Sequence, residues 1–111
     1  MDIEISSQQD ITIIKLTGEL HRQTVPGIQE QITPLATPHC KILLDMSGVT
    51  YMSSAGLRLL LLFYRKIEGG QGKIVITGLQ ELVHDTMSIT GFLEFFTACD
   101  TIEDGINALN A

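Results

Sequence analysis

A continuous apolar run that ends in an acid constrains the fold of this chain more than any other segment. It reads KILLD, from Lys41 to Asp45. Because polar and apolar residues do not alternate in it, the run is typical of a central strand that is buried on both faces. A similar run, KIVIT, spans 73–77, and a helical pattern from about Ala55 to Glu68 lies between the two. Strands and helices in this order predict a mixed sheet with helices laid on it.

Hydrophobic periodicity extends this prediction along the whole chain. Isoleucines near the start predict a hairpin-like pair of strands. Thr24 is expected to cap the first helix, and Thr101 with Asp104 resembles a capping box for the last helix. The full prediction is an α/β fold in the order β-β-α-β-α-β-α-(β)-α, with a mixed sheet of four to five strands and about four helices. The weakest element is an edge strand within 95–99.

Composition bounds the class of protein and its partners. At 111 residues, with 44% apolar and 18% charged residues, the chain is expected to be one globular domain spanning 1–111. A net charge of −6 without a Lys/Arg cluster argues against binding nucleic acid or an anionic membrane. The longest apolar run, 57–67, is too short to cross a bilayer. No signal peptide is visible, so a cytoplasmic location is expected, with Cys40 and Cys99 as buried thiols.

Two adjacent serines stand where the second helix should begin, in the stretch MSSAG at 52–56. The stretch follows a predicted loop anchored by Val49 and Met52. Serine is a favoured N-cap residue, so one interpretation is that the pair only caps the helix. The other is a chemical handle, because ligand sites of open α/β sheets collect at the carboxyl ends of strands. Gly56, in the first helical turn, weakens the helix but lets another backbone come close.

The second helix is predicted to have an unusual outer surface. At about 100° per residue, one side can face the sheet with Leu57, Leu60, Phe63, Tyr64 and Ile67. Arg58 and Arg65 lie on the opposite side, where Leu61 and Leu62 flank them and should be partly exposed. Leucines beside a polar stripe indicate a protein-binding surface. The alternative is that another helix of the same domain covers the two leucines.

Three segments make the chain resemble a known family. LTGELH at 16–21, ILLDMSGVTYMSSAGLRLLL at 42–61 and MSITGFLEFF at 87–96 resemble the STAS domain of bacterial anti-sigma-factor antagonists, over essentially the whole chain. The middle segment is the most specific, because its strand-end aspartate, Met, serine-containing turn and Gly-Leu have a fixed spacing. The resemblance implies a STAS-like fold and a protein that binds an anti-sigma factor, itself a GHKL-type serine kinase, to free a sigma factor. It also implies that phosphorylation ends this binding and that a PP2C-type phosphatase reverses the modification.

The resemblance also assigns residues. The family's usual turn is Met-Asp-Ser-Ser-Gly, with the first serine accepting phosphate, so matching Met and Gly here places the acceptor at Ser54. Ser53 replaces the family's aspartate and is the alternative acceptor. Asp45 matches the strand-end acid and Glu19 the acid of the first conserved loop, whereas His21 stands where that loop often has Asp. The residues expected to contact the partner are Glu19, His21, Asp45, Ser53, Ser54, Gly56, Arg58, Leu61, Leu62 and Arg65.

Other classes of function compete with this one. The stretch GGQGK at 69–73 lacks the spacing of a phosphate-binding P-loop. His21, His39 and His84 are scattered, without the spacing of metal ligands or of a catalytic triad. No metal, cofactor or catalytic residue is therefore expected, although a small serine hydrolase remains the competitor from another class. A second competitor is a STAS scaffold in another signalling or transport complex, in which Ser54 is only a helix cap.

Overall fold

The computed structural model describes all 111 residues, and its elements follow the predicted order. The strands are β1 (Asp2–Gln8), β2 (Ile11–Leu20), β3 (Lys41–Met52), β4 (Lys73–Thr77) and β5 (Thr97–Cys99). The helices are α1 (Val25–Ile32), α2 (Ser54–Gly69), α3 (Glu81–Ile89) and α4 (Ile102–Leu109), with short 3-10 turns at Thr33–Leu35 and Phe92–Phe95. The predicted α/β fold class is confirmed. None of the helices combines the length and the apolar character needed to cross a membrane.

All five strands join one mixed sheet, in the order β1-β2-β3-β4-β5. β1 and β2 pair antiparallel as the predicted hairpin, whose turn contains Gln9 at a left-handed φ of 57°. The later pairs are all parallel, because helical segments carry the chain back across the sheet before each new strand. β5 is the predicted edge strand. The carboxyl ends of β2, β3 and β4 therefore lie at the same edge of the sheet.

Both faces of the sheet are covered, and this explains why β3 is so apolar. Side chains alternate along a strand, so Ile42 and Leu44 point to one face while Leu43 points to the other. Ile42 and Leu44 belong to a cluster of 20 buried residues that includes side chains of α1, α2 and α3. Leu43 packs with Leu109 of α4 in a second cluster of 4 buried residues. The prediction of a central strand buried on both faces is confirmed.

The loop predicted after Asp45 is wrong, because β3 continues to Met52 and remains paired with β2. The pairing passes through two register shifts. Beside them Gly18 adopts a φ of +120°, which residues with a Cβ rarely reach. Such irregularities interrupt the alternation by which a strand is recognised. The extension carries β3 directly to the start of α2.

The two predicted helix caps have different outcomes. At α4 the Thr101 hydroxyl accepts a hydrogen bond from the Asp104 backbone N–H at 3.1 Å, as predicted. At α1, Thr24 occupies the cap position but its side chain makes no cap hydrogen bond. The Thr24 hydroxyl instead donates to the Glu19 carbonyl at 2.7 Å. Thr24 thus ties the loop before α1 to the end of β2.

Candidate functional site

The candidate site lies where β2 and β3 end and α2 begins. Leu20 pairs with Met52 in the last rung of the β2–β3 ladder. The backbone N–H of Ser53 then donates to the Leu20 carbonyl at 2.8 Å, so the start of α2 is held directly against β2. This position is the carboxyl end of the strands, where open α/β sheets place their binding sites.

The two serines of the turn have opposite surroundings. Ser53 is the N-cap residue, with extended backbone angles of −88° and 178°. Its side chain makes no cap hydrogen bond, and its hydroxyl oxygen is buried without a partner. Ser54 is the first residue of the helix, one position past the cap, and is exposed. The interpretation of the serine pair as a simple cap is therefore wrong.

Gly56 brings α2 close to the two strand ends. A Cβ at this position would lie 2.8 Å from Met52 Cγ, 2.9 Å from Leu20 Cβ and 3.1 Å from the Leu20 carbonyl oxygen. The predicted reason for this glycine, close approach of another backbone, is confirmed. Gly56 is buried and positions the helix, and its expected role as a partner contact remains an untested prediction.

Asp45 is also buried. Only 5% of the residue is exposed, and its carboxylate accepts a hydrogen bond from the Ser47 backbone N–H at 3.0 Å. It lies in register with Thr77 of β4, whose hydroxyl is buried without a hydrogen-bond partner. Asp45 thus presents little surface to a partner, and its expected partner contact remains an untested prediction. Its carboxylate orders the part of β3 that follows the apolar run.

The loop between β2 and α1 forms the second side of the site. Glu19 is exposed and His21 is half-buried. The Gln23 backbone N–H donates to His21 Nδ1 at 3.2 Å, and the His21 backbone N–H donates to Thr24 Oγ1 at 3.1 Å. These bonds fix the loop next to Leu20, and thereby next to the start of α2. Glu19 and His21 are thus placed at the predicted site.

The outer face of α2 carries the stripe that its periodicity predicts. Its opposite side is buried against the sheet as expected, through Leu57, Leu60, Phe63 and Ile67, with Tyr64 half-buried. Ser54, Arg58, Leu61 and Arg65 follow at i, i+4, i+7 and i+11, so they share an arc of about 60°. Both arginines are exposed, Leu61 is half-buried and Leu62 is 47% exposed. The predicted partial exposure of both leucines is confirmed.

A cleft of about 220 Å³ separates α1 from α2 beside this face. It is lined by Arg22, Val25, Pro26, Gln29, Ala55, Arg58, Leu59 and Leu62. The alternative that another helix covers the leucines is wrong for Leu62, because α1 packs beside it and leaves it open. The two ion pairs of the structure, Lys41–Asp10 and His84–Asp85, lie elsewhere. Arg22 and Arg58 therefore face the cleft without an acidic partner.

Two residues of this region were not assigned from the sequence. Tyr51 is 44% exposed and pairs opposite Glu19 at the end of the β2–β3 ladder. Its signal is an exposed aromatic at a strand end, which becomes visible only once β3 is known to extend past Asp45. Arg22 is a single charge in a loop, and its importance comes from sharing the cleft with Arg58.

The groups with shifted pKa values belong to other parts of the molecule. Burial raises the pKa of the Cys40 thiol, whose sulfur contacts the turn at Gly72. A hydrogen bond with Glu68 raises the pKa of Tyr64, which packs against Phe96 with ring centroids 5.3 Å apart. Both cysteines are unpaired and half-buried. No three His, Cys, Asp or Glu side chains come close enough to form a candidate metal site.

The fold and the site define a small α/β domain whose accessible hydroxyl, free guanidiniums and exposed leucines are concentrated at one helix start. The chain belongs to the STAS domain family, whose model matches residues 2–105. The resemblance of its three sequence segments to this family is confirmed.

The similar proteins that carry names are named as anti-sigma factor antagonists. A protein of Bordetella bronchiseptica, named as a candidate anti-sigma factor antagonist, BtrV, is 35% identical over 63 residues, which cover 57% of this chain and only 54% of that protein. The anti-sigma-B factor antagonist of Staphylococcus aureus is 28% identical over 82% of this chain and 85% of its own length.

Solved structures share the fold at lower identity. A Thermotoga maritima protein, described as a candidate anti-sigma factor antagonist, superposes with a TM-score of 0.90 at 18% identity, covering 98% of this chain and 95% of that one. The Bacillus cell fate determinant SpoIIAA, solved in a phosphorylated form, superposes with a TM-score of 0.72 at 19% identity, covering 96% and 98%. These likenesses establish the architecture.

Proposed function

We propose that this protein is an anti-sigma-factor antagonist. Its unmodified form binds an anti-sigma factor that is also a GHKL-type serine kinase, and this binding frees a sigma factor. The observation that carries the proposal is the exposed Ser54 at the start of a helix whose outer face bears Arg58 and Arg65 outside any ion pair. The names of the Bordetella and Staphylococcus relatives support it. The complex belongs in the cytoplasm, without direct contact to nucleic acid or membrane.

The proposed contact surface has three parts around the start of α2. Apolar side chains with cations beside them match the anatomy of protein interfaces, in which an apolar centre is surrounded by a polar rim. Tyr51 and Arg22 join the surface on the structural grounds given above. The remaining members are Glu19 and His21 of the loop, Ser53 and Ser54 of the turn, and Arg58, Leu61, Leu62 and Arg65 of the helix.

The chain acts in this proposal as a ligand and a substrate, not as a catalyst. A serine hydroxyl is a weak nucleophile without a neighbouring base, so the kinase supplies both the base and Mg-ATP. The Ser54 oxygen bonds to the γ-phosphorus, the bond from that phosphorus to the β–γ bridging oxygen breaks, and ADP leaves. The hydroxyl proton passes to the base of the kinase. A PP2C-type phosphatase later hydrolyses the phosphoserine and restores the binding form.

Ser54 is the proposed acceptor because a kinase can reach it. Ser53 differs in the one property that matters here, since its hydroxyl oxygen is buried beneath the turn. Transfer to Ser53 would first require its hydroxyl to become exposed, either by rotation of the side chain or by separation of the helix start from β2 and loss of the 2.8 Å hydrogen bond from Ser53 N–H to the Leu20 carbonyl. The exposed neighbour needs no such opening.

Phosphorylation is expected to change the interface and to leave the fold intact. The phosphate adds roughly −1.5 to −2 charges. At a helix N-terminus that charge is stabilised by about 0.3–1 kcal/mol through the free N–H groups and the helix dipole. Within a contact surface a phosphate that the partner does not match with a positive group costs several kcal/mol, and each ~1.4 kcal/mol lowers affinity tenfold. The switch is therefore local, with no large refolding.

Mass spectrometry of kinase reactions tests the acceptor. The protein, Ser54→Ala and Ser53→Ala are each incubated with the cognate kinase and Mg-ATP, and their intact masses are recorded. The wild type and Ser53→Ala should gain one phosphate, whereas Ser54→Ala should gain none. A phosphate on Ser54→Ala, or its loss only in Ser53→Ala, would transfer the acceptor role to Ser53.

Binding, phosphorylation and probe-labelling experiments distinguish the two competing functions from the proposed one. A STAS scaffold of another complex would bind its partner equally well as wild type and as Ser54→Asp, and no kinase would modify it. A serine hydrolase would be labelled at Ser54 by a fluorophosphonate probe, because such labelling needs an activated hydroxyl. The proposal expects neither outcome.

A further inference from the structure

We propose that Arg58 and Arg22 clamp the phosphate of Ser54, so that phosphorylation also removes these two cations from the contact surface. The inference rests on the proposed acceptor role of Ser54 and describes how the modified state is held. It gives the two arginines of the cleft between α1 and α2 a definite ligand, the phosphomonoester dianion of a residue that adjoins the cleft through Ala55.

Helix geometry brings Arg58 to the acceptor. Residues at i and i+4 are neighbours on a helix, with Cβ atoms about 5–6 Å apart. Side chains on a helix also lean toward its N-terminus, so a long side chain covers the turn that precedes its own Cα. This geometry allows the Arg58 guanidinium to reach back over the turn that contains Ser54. Its planar N–H groups match two phosphate oxygens at once.

Arg22 approaches the same place from the other wall of the cleft. It lines the cleft together with Arg58 and with Ala55, the residue that follows Ser54. The loop that carries it is fixed by the hydrogen bonds of His21 and Thr24. The flexible Arg22 side chain can thus reach, from an ordered backbone, the part of the cleft wall formed by Ala55, next to the modified residue.

Neither arginine has to give up a carboxylate to form the clamp. Both are exposed and absent from the ion pairs of the structure, which join Lys41 to Asp10 and His84 to Asp85. Acidic residues outnumber basic ones in the chain, 13 to 7. The chain is negatively charged as a whole, whereas the region near Ser54 contains two arginines, Arg22 and Arg58, that form no ion pair.

Clamping gives the modification a second effect on recognition. The unmodified surface offers two cations to acidic side chains of a partner, and the clamp occupies both with an internal dianion. Arg65 keeps its charge, because it lies eleven residues from Ser54, about 16 Å along the helix axis. Phosphorylation therefore alters the charge of the start of α2 and leaves its far end unchanged.

A ³¹P NMR titration tests the clamp on the full chain without any partner. Phosphoserine is installed at residue 54 during synthesis, in the wild type and in Arg58→Gln, Arg22→Gln and Arg65→Gln backgrounds. A nearby guanidinium favours the dianion and lowers the second pKa of the phosphate. The pKa should be lowest in the wild type and in Arg65→Gln, and higher in both Arg58→Gln and Arg22→Gln. Arg65→Gln is the matched control, because it removes the same charge from the same helix outside contact range.

Equal phosphate pKa values in all four proteins would overturn the clamp, as would an equal rise in Arg65→Gln and Arg58→Gln. A rise in Arg58→Gln alone would exclude Arg22 from it and so contradict the pair as proposed. Circular dichroism of each unphosphorylated variant establishes that the fold is retained. Because the phosphate is installed directly, this result is independent of the kinase assay. The titration can detect a clamp even if no kinase modifies Ser54. It can also show that no clamp forms even if a kinase does modify Ser54.

Discussion

The first turns of α2 and α4 both contain backbone N–H groups without a partner inside the helix, and the two turns treat these groups in opposite ways. At α4, the Thr101 hydroxyl accepts from the Asp104 N–H at 3.1 Å, and Glu103 and Asp104 place negative charge in the first turn. At α2, the N-cap Ser53 makes no side-chain cap bond, and the first turn contains no acid. The start of α4 is capped by its own side chains, whereas the start of α2 has neither a side-chain cap nor an acid; we call it the open start.

The open start of α2 is held by packing instead. The buried side of the helix contributes to the main core, and Gly56 seats the first turn on Leu20 and Met52. Capping and first-turn acids are worth about 0.5–2 and 0.3–1 kcal/mol, less than the burial of a few leucines. A helix with a large core can therefore leave its terminus free for modification.

Packing should dominate the stability of α2. Leu60 is 1% exposed within the main core, so Leu60→Ala should lower the free energy of unfolding by about 2–5 kcal/mol. Leu62→Ala is the matched control on the same helix, since Leu62 is 47% exposed, and should change stability by less than about 0.5 kcal/mol. Urea denaturation measures both. Similar losses in the two variants would show that α2 is not anchored through its inner face.

The close packing of α2 against the ends of β2 and β3 should depend on the absence of a Cβ at residue 56. Gly56→Ala places a methyl group 2.8 Å from Met52 Cγ and 3.1 Å from the Leu20 carbonyl oxygen, and should cost about 1–3 kcal/mol. Gly69→Ala, at the other end of α2, meets nothing within 4 Å and should be neutral or up to about 1 kcal/mol stabilising. Thermal melting separates the two. An unaltered melting temperature for Gly56→Ala would mean that the helix start can move away from β2.

The two cap residues should respond differently to alanine. Thr101→Ala removes a formed cap bond and should cost about 0.5–2 kcal/mol. Ser53→Ala removes a buried hydroxyl that has no partner, so stability should be unchanged or increased by up to about 1 kcal/mol. Both are measured by chemical denaturation under identical conditions. A loss at Ser53 equal to that at Thr101 would show that Ser53 caps α2 in solution.

An acid added at the open start should have the smallest effect on stability. Ser54→Asp supplies the first-turn charge that α4 already has, and should stabilise the protein by about 0.3–1 kcal/mol. The gain should shrink at high salt, because exposed charges are screened. Ser54→Asn has nearly the same shape without the charge and is the control. Thermal melting at two salt concentrations measures the difference, and a destabilised Ser54→Asp would contradict the view that this turn accepts negative charge.

The sequence predicts the fold well because its strands and helices follow simple periods. KILLD is apolar on both faces of a covered sheet, and Leu57, Leu60 and Phe63 follow the period of a helix. The part of β3 between Asp45 and Met52 is not predictable in this way, since register shifts with β2 break the alternation. The same extension conceals Tyr51, which reads as a loop residue until the strand is seen.

The candidate site is predictable only in part. Residue types and spacing locate the serine pair and the Arg58–Arg65 stripe, both of which depend on local helix geometry. Burial is a tertiary property, so the sequence does not show that Asp45 turns inward onto the Ser47 N–H, nor that the Ser53 hydroxyl is sealed. The meeting of Arg22 with Arg58 across the cleft is equally non-local.

The most direct test of the account compares the affinity of the cognate anti-sigma factor kinase for two forms of this protein, unmodified and phosphorylated at Ser54. Isothermal titration calorimetry measures binding, and thermal melting of each form monitors the fold. We expect the phosphorylated form to bind at least tenfold more weakly, by about 1.4 kcal/mol or more, with no fall in melting temperature. Equal affinities of the two forms, or weaker binding that accompanies an unfolded protein, would contradict a switch located at the open start of α2.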